Sequence, residues 1–250
     1  MALAQVKPAF APEEQRIRRE LAALYRLFHH YGWTDLTATH LSARLPSDPA
    51  HYLMNSFDFL FEEITASNLS KISFDGRMVT PGRTLNDAGH CIHSAVLNAR
   101  PEINFVLHSH TRAGIAVSSH PGGLLPLSQH AAIVLGTLST HPYQDSTAVA
   151  DEGELLARDL GQNYAMLLQN HGLLTVGRTA AEAFTYHYYL EMACKVQVDI
   201  LSMTGKPIVP PPEAMAPVLE WGNPATGPKG DHYWPALLRL VERKYPDYAD

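Results

Sequence analysis

Three histidines set the chemistry this chain could perform. In Phe105-Val106-Leu107-His108-Ser109-His110-Thr111, an extended backbone sends successive side chains to opposite faces. His108 and His110 then share one face and Ser109 points away from it. Two imidazoles side by side on a strand are a metal-ligand pattern. A third, His171, stands where the apolar run Met166-Leu167-Leu168 gives way to Gln169-Asn170-His171-Gly172. If the two strands meet, three imidazoles converge and leave a coordination position open, as a catalytic zinc requires. Asn170 or Ser109 would help orient such a site, because ligating imidazoles usually give their second nitrogen to a polar partner.

The other chemistry-bearing residues carry weaker signals. The chain has 14 histidines, and lone ones such as His29, His30, His51 and His187 read as structural or surface groups. Glu62 and Glu63 are adjacent, so at most one enters a site, and spacing alone favours solvent for both. Asp87 reads as a helix cap. Ser109 has no nucleophile elbow and no evident base, which argues against serine catalysis.

Periodicity supplies the elements that must position these groups. Apolar residues at three- and four-residue spacing predict a helix over 13–31, closed by Gly32. Strands over 41–45 and 51–55 flank the turn Ser47-Asp48-Pro49, and a strand over 69–74 ends at the hairpin signal Asp75-Gly76. A helix over 87–99 stops at Arg100-Pro101 and leads directly into the histidine strand. A helix over 112–119 follows, then short strands and turns over 124–143, a helix over 148–161 and strands over 164–169 and 173–177. Thr179 caps a long helix over 180–203, with Glu182 placed to complete a capping box. Hairpins mixed with helices predict an α/β fold with a mixed, largely antiparallel sheet. The expected organisation is a mobile segment over 1–12, one domain over 13–204 and a Pro-rich tail over 205–250. The prolines exclude regular structure in that tail until a terminal helix over 233–244.

Bulk properties narrow the function classes. With 250 residues, 46% hydrophobic and 18% charged, the chain is long enough to bury a substantial core. A net charge of -6, without a basic cluster interleaved with aromatics, argues against nucleic acid as a partner and for a small-molecule substrate. The 2 cysteines are not a disulfide framework and suit a reducing compartment. No apolar run reaches the roughly 18 residues of a membrane span, and the N-terminus lacks a signal-peptide core, so a cytoplasmic location is expected. Neither a dinucleotide fingerprint nor a phosphate-loop lysine is present, which disfavours nicotinamide cofactors and nucleoside triphosphates.

The segments Phe61-Glu62-Glu63-Ile64-Thr65-Ala66-Ser67-Asn68-Leu69, His93-Ser94-Ala95, Ala99-Arg100-Pro101, His108-Ser109-His110-Thr111, Gly123-Leu124-Leu125-Pro126 and Asn170-His171-Gly172-Leu173, in that order, resemble the class II aldolase/adducin family. The resemblance spans about Glu13 to Leu201. It implies a three-layer α/β/α sandwich and a homo-oligomer, commonly a tetramer with sites between subunits. It also implies a divalent metal, zinc first and Mn2+, Fe2+ or Co2+ as alternatives, held by His108, His110 and His171. Glu62, directly after an aromatic residue, takes the acid/base role of the family's sugar-phosphate aldolases. His130 occupies the neighbourhood from which those enzymes reach into an adjacent subunit's site. The implied activity is aldolase-type carbon–carbon cleavage of a small hydroxylated carbonyl compound. A decarboxylase or epimerase using the same metal chemistry, and a non-catalytic adducin-like oligomeric binding protein, are the alternatives. The chain departs from the family where phosphate is gripped. Thr39-His40-Leu41-Ser42 and Asn55-Ser56-Phe57-Asp58 replace the expected Gly-Asn pair and the turn ending in glycine, and Asp58 would repel a phosphate. Thr39, His40, Ser42, Asn55 and Ser56 then become pocket candidates for an unphosphorylated substrate.

Overall fold

The computed structural model describes residues 10–143 and 149–250; nearly all of the expected mobile N-terminal segment lies outside them. Helix α1 (Pro12–Tyr31) starts with proline at its first turn and two acidic residues beside the positive end of the helix dipole. It stops at Gly32, whose φ of 69° lets its amide turn back to the His29 carbonyl. Ile17, Leu21, Leu24, Leu27 and Phe28 form its buried stripe, each worth about 1.5–3 kcal/mol of apolar burial.

Seven strands follow: β1 (Leu41–Arg44), β2 (His51–Met54), β3 (Ser70–Ser73), β4 (Phe105–Ser109), β5 (Leu138–His141), β6 (Ala165–Leu168) and β7 (Gly172–Gly177). They form one sheet in the order β3-β2-β1-β4-β7-β6-β5. Every pairing is antiparallel except β5 with β6, so the sheet is mixed and largely antiparallel as the pattern predicts. The histidine strand β4 sits at its centre, between β1 and β7.

Helices cover both faces. On one face Ser42 of β1 meets His93 of α2 (Asp87–Ala99), and α5 (Val149–Leu160) packs against α2. On the other, Ser109 of β4 meets His187 of α6 (Ala180–Ser202), with α1 and α3 (Arg112–Ser118) alongside. This is the three-layer α/β/α sandwich. The Thr179 hydroxyl caps α6 by accepting from the Glu182 amide. The Glu182 carboxylate bonds the Arg178 backbone and guanidinium rather than the cap's own amide, so the expected box closes one residue earlier.

Two expectations are corrected. The 124–143 stretch contains α4 (Gln129–Leu135) before β5, capped by the Ser128 hydroxyl on the Ala131 amide; seven residues are too few for periodicity to separate helix from strand. The Pro-rich tail forms α7 (Pro212–Gly222) as well as α8 (Trp234–Lys244). Pro212 lies in the first turn of α7, where its missing amide costs nothing. Helix α7 packs on α4, and α8 packs on α1. Tertiary packing therefore overrides the proline composition.

Candidate metal centre

His108 and His110 stand on the same side of β4, and the Asn-His-Gly turn between β6 and β7 brings His171 to them. Asn170 takes φ 56°, a left-handed conformation its short polar side chain tolerates. Gly172 is required because a Cβ there would lie 2.2 Å from the Ser109 carbonyl oxygen. That close approach seats β7 beside the end of β4 and holds His171 over the pair.

The three Nε2 atoms converge. His110 Nε2 lies 2.7 Å from His108 Nε2 and 2.8 Å from His171 Nε2, and one ligand atom from each residue lies within 4.8 Å of the others. The second nitrogens explain the orientation. His108 Nδ1–H donates to the Leu173 carbonyl at 2.9 Å, which leaves Nε2 with a free lone pair. His110 Nδ1 lies 3.0 Å from a carboxylate oxygen of Asp35. A carbonyl on one ligand and a carboxylate on another are the partners that fix tautomer and ring angle in metal sites. Behind the site, the Thr111 hydroxyl donates to the buried Glu191 carboxylate at 2.5 Å, anchoring the chain directly after His110.

Burial pushes His108 well below the usual imidazole range, and the neighbouring His40 adds to this. Burial, then His110, lowers His171 to about 4. Both rings are therefore neutral at physiological pH, the form that binds metal. Three imidazoles with converging nitrogens fit a divalent ion of the zinc type.

The remaining candidates fall into distinct places. His40, buried, lies 4.9 Å from the His108 ring, and its Nδ1 is 2.8 Å from His93 Nε2. His93 Nδ1 in turn meets the Ser42 hydroxyl at 2.5 Å, so His40, His93 and Ser42 form a buried polar line leading to the histidine cluster. Thr39 is buried, and its hydroxyl has no partner among the described residues. Asn55 and Ser56 are buried and occupied: Tyr25 donates to the Asn55 side chain at 2.8 Å, and Ser56 donates to Asp58 and accepts from the Thr84 amide. Glu62 sits on the 3-10 turn Phe61–Glu63, with its side chain 51% exposed and 3.3 Å from His29. His130, on α4, packs against Tyr189 with ring centroids 5.7 Å apart.

Sequence reasoning named the three ligands but not Asp35, which lies in the loop after α1 with no periodicity to mark it. It quoted His93 as part of a segment without giving it a role. The expected orienting residues act elsewhere: Ser109 faces away to bond His187, and Asn170 contributes backbone geometry.

The model of the Class II Aldolase and Adducin N-terminal domain matches residues 19–198. An aldolase II superfamily protein from Pseudomonas syringae superposes with TM-score 0.89 and 43% identity, covering 96% of this chain and 98% of that one. L-fuculose 1-phosphate aldolase from Glaciozyma antarctica PI12 superposes with TM-score 0.82 and 30% identity, covering 96% of each chain. Alpha-adducin of Mus musculus is 36% identical over 250 residues, which are 94% of this chain and 34% of the adducin.

Proposed function

The chain belongs to the class II aldolase and adducin family, and on that premise we propose that it is a zinc-dependent lyase. It would cleave a carbon–carbon bond in a small, unphosphorylated hydroxy-carbonyl compound. The observation that carries this reading is the convergence of three imidazoles, two with their second nitrogens fixed by Leu173 and Asp35. A divalent ion held there would supply Lewis acidity, polarising substrate oxygens and stabilising the charge that develops as the bond breaks.

The chain's own residues supply the rest. His108, His110 and His171 hold the ion, and the backbone at Gly172 keeps them together. Glu62 is the proposed proton carrier. Its turn is braced on α1, where Phe61 meets Tyr25 edge-on with centroids 4.6 Å apart. The Tyr25 hydroxyl bonds the backbone at Leu41, next to His40, which ties the carboxylate's platform to the strand beside the ligands. Half-exposed and paired with His29, Glu62 is free to meet a substrate. His130 would serve a neighbouring subunit's site in a homotetramer.

The Glaciozyma relative is named for a sugar phosphate. Here Asp58 argues for a different substrate: the Ser56 hydroxyl holds its carboxyl below the usual range, so it stays anionic where a phosphate would sit. Retro-aldol cleavage of hydroxy-keto acids without phosphate, lost together with metal, is the expected result of a turnover screen. Turnover confined to phosphorylated sugars would overturn the substrate class, and full turnover after metal removal would overturn the lyase. Glu62→Gln should keep the metal and lose 10²–10⁴-fold in turnover, the usual worth of a positioned acid/base. Unchanged turnover would move that role elsewhere.

The second reading, a non-catalytic oligomeric head, draws on the likeness to alpha-adducin. Metal without turnover on any hydroxy-carbonyl compound would favour it.

A further inference from the structure

A histidine–aspartate pair, His141 with Asp159, lies outside the three-histidine cluster. His141, the last residue of β5, is 3% exposed, and its Nδ1 lies 2.8 Å from Asp159 Oδ2 on α5. The carboxylate accepts that Nδ1–H, which leaves Nε2 as a lone-pair acceptor. Among the described residues, its buried Nε2 has no hydrogen-bond partner. Leaving an acceptor so placed costs about 1–3 kcal/mol.

Sheet register shows which way this ring faces. Residues directly opposite on neighbouring strands share a face. His108 pairs with Leu174, Leu174 with Met166 and Met166 with Ser139. Two residues further along each strand, on the same face, come His110, Gly172, Leu168 and His141, the last three paired in register. His141 therefore points to the face that carries the metal-ligand pair. It also borders the third ligand, because its partner Leu168 is the residue whose carbonyl holds the His171 amide at 3.0 Å.

We infer that His141, oriented by Asp159, is a specificity-determining acceptor for a hydroxyl group of the substrate. The inference rests on the lyase reading. An otherwise unsatisfied buried acceptor rewards a ligand that brings an O–H and rejects one that lacks it. The class selected is therefore a polyhydroxylated carbonyl compound rather than a simple keto acid.

The test compares two hydroxamates on zinc-loaded protein by calorimetry: acetohydroxamate, which offers only its chelating oxygens, and trihydroxybutyrohydroxamate, which adds a hydroxylated chain. Wild type should bind the hydroxylated probe about tenfold more tightly, equivalent to one hydrogen bond of about 1.4 kcal/mol. His141→Phe should bind both probes equally, with acetohydroxamate unchanged from wild type. Should that variant fail to fold, nitrogen NMR of the wild type decides. The unprotonated Nε2 of His141 must shift with the hydroxylated probe and stay fixed with acetohydroxamate. Equal binding of the probes by wild type, a preference that survives His141→Phe, or an unmoved Nε2 overturns the anchor alone. Failure of wild type to bind either probe overturns the lyase reading and the anchor together.

Discussion

Strand β4 has a buried histidine ring against each of its faces. His108 faces α2 and His187 of α6 meets the opposite face through Ser109; each is 0% exposed. They differ in how their nitrogens are satisfied. His187 Nε2 meets the Ser109 hydroxyl at 2.9 Å and Nδ1 meets Thr175 at 3.0 Å, with Phe28 and Trp33 packed on the ring at 4.6 and 5.3 Å. Nothing is left for a ligand. At His108 one nitrogen is spent on a carbonyl and the other points at two more imidazoles. Hydrogen-bond satisfaction, rather than burial, separates a core histidine from a metal ligand.

Removing His187 should sharpen that contrast most. His187→Ala leaves a cavity among aromatics and takes a partner from the Ser109 and Thr175 hydroxyls, an expected loss of roughly 3 kcal/mol in urea unfolding. Metal content should stay unchanged. Loss of metal with little loss of stability would break the distinction.

Asp35→Ala acts in the reverse sense. Asp35 is exposed and touches His110, so metal affinity should fall 10–100-fold while unfolding in the absence of metal moves by less than about 0.5 kcal/mol. An unchanged affinity would remove Asp35 from the site.

The third effect is in pH dependence. Burial holds His187 at about 3, below the usual 6.5. Between those values the unfolded chain binds a proton that the folded chain refuses. Stability is therefore full above pH 6.5 and falls with pH toward 3, by about 1.4 kcal/mol per pH unit for each such histidine. His171, at about 4, contributes the same sign over a shorter window. His187→Gln should remove one histidine's share of that slope, read from urea midpoints across the range. A slope unchanged by the substitution would contradict the assignment.

The candidate metal-ligand side was far more legible in the sequence than the residues that support it. Period-two alternation alone placed His108 and His110 together, and the break from apolar residues to Asn-His-Gly marked His171, because both signals are local. Helices α1 and α6 were equally visible through their spacing and caps. What escaped depends on tertiary contact. Asp35 follows a helix in an irregular loop, His93 hides on an ordinary helical face, and the orphaned nitrogen of His141 exists only once β5 and α5 are packed. Helix α7 was masked by its prolines. His187 was rightly read as structural, although its partners Ser109 and Thr175 could not be known before the sheet was assembled.

Metal analysis of purified wild type beside His171→Ala tests the account most directly. His171 is the ligand supplied by a separate turn, so its loss opens the site while leaving the β4 pair in place. The account predicts about one divalent ion per chain in wild type and close to none in the variant, with both proteins folded. Wild type without metal after growth and reconstitution in zinc, or a variant that retains it in full, would contradict the claim that these three histidines form a metal centre.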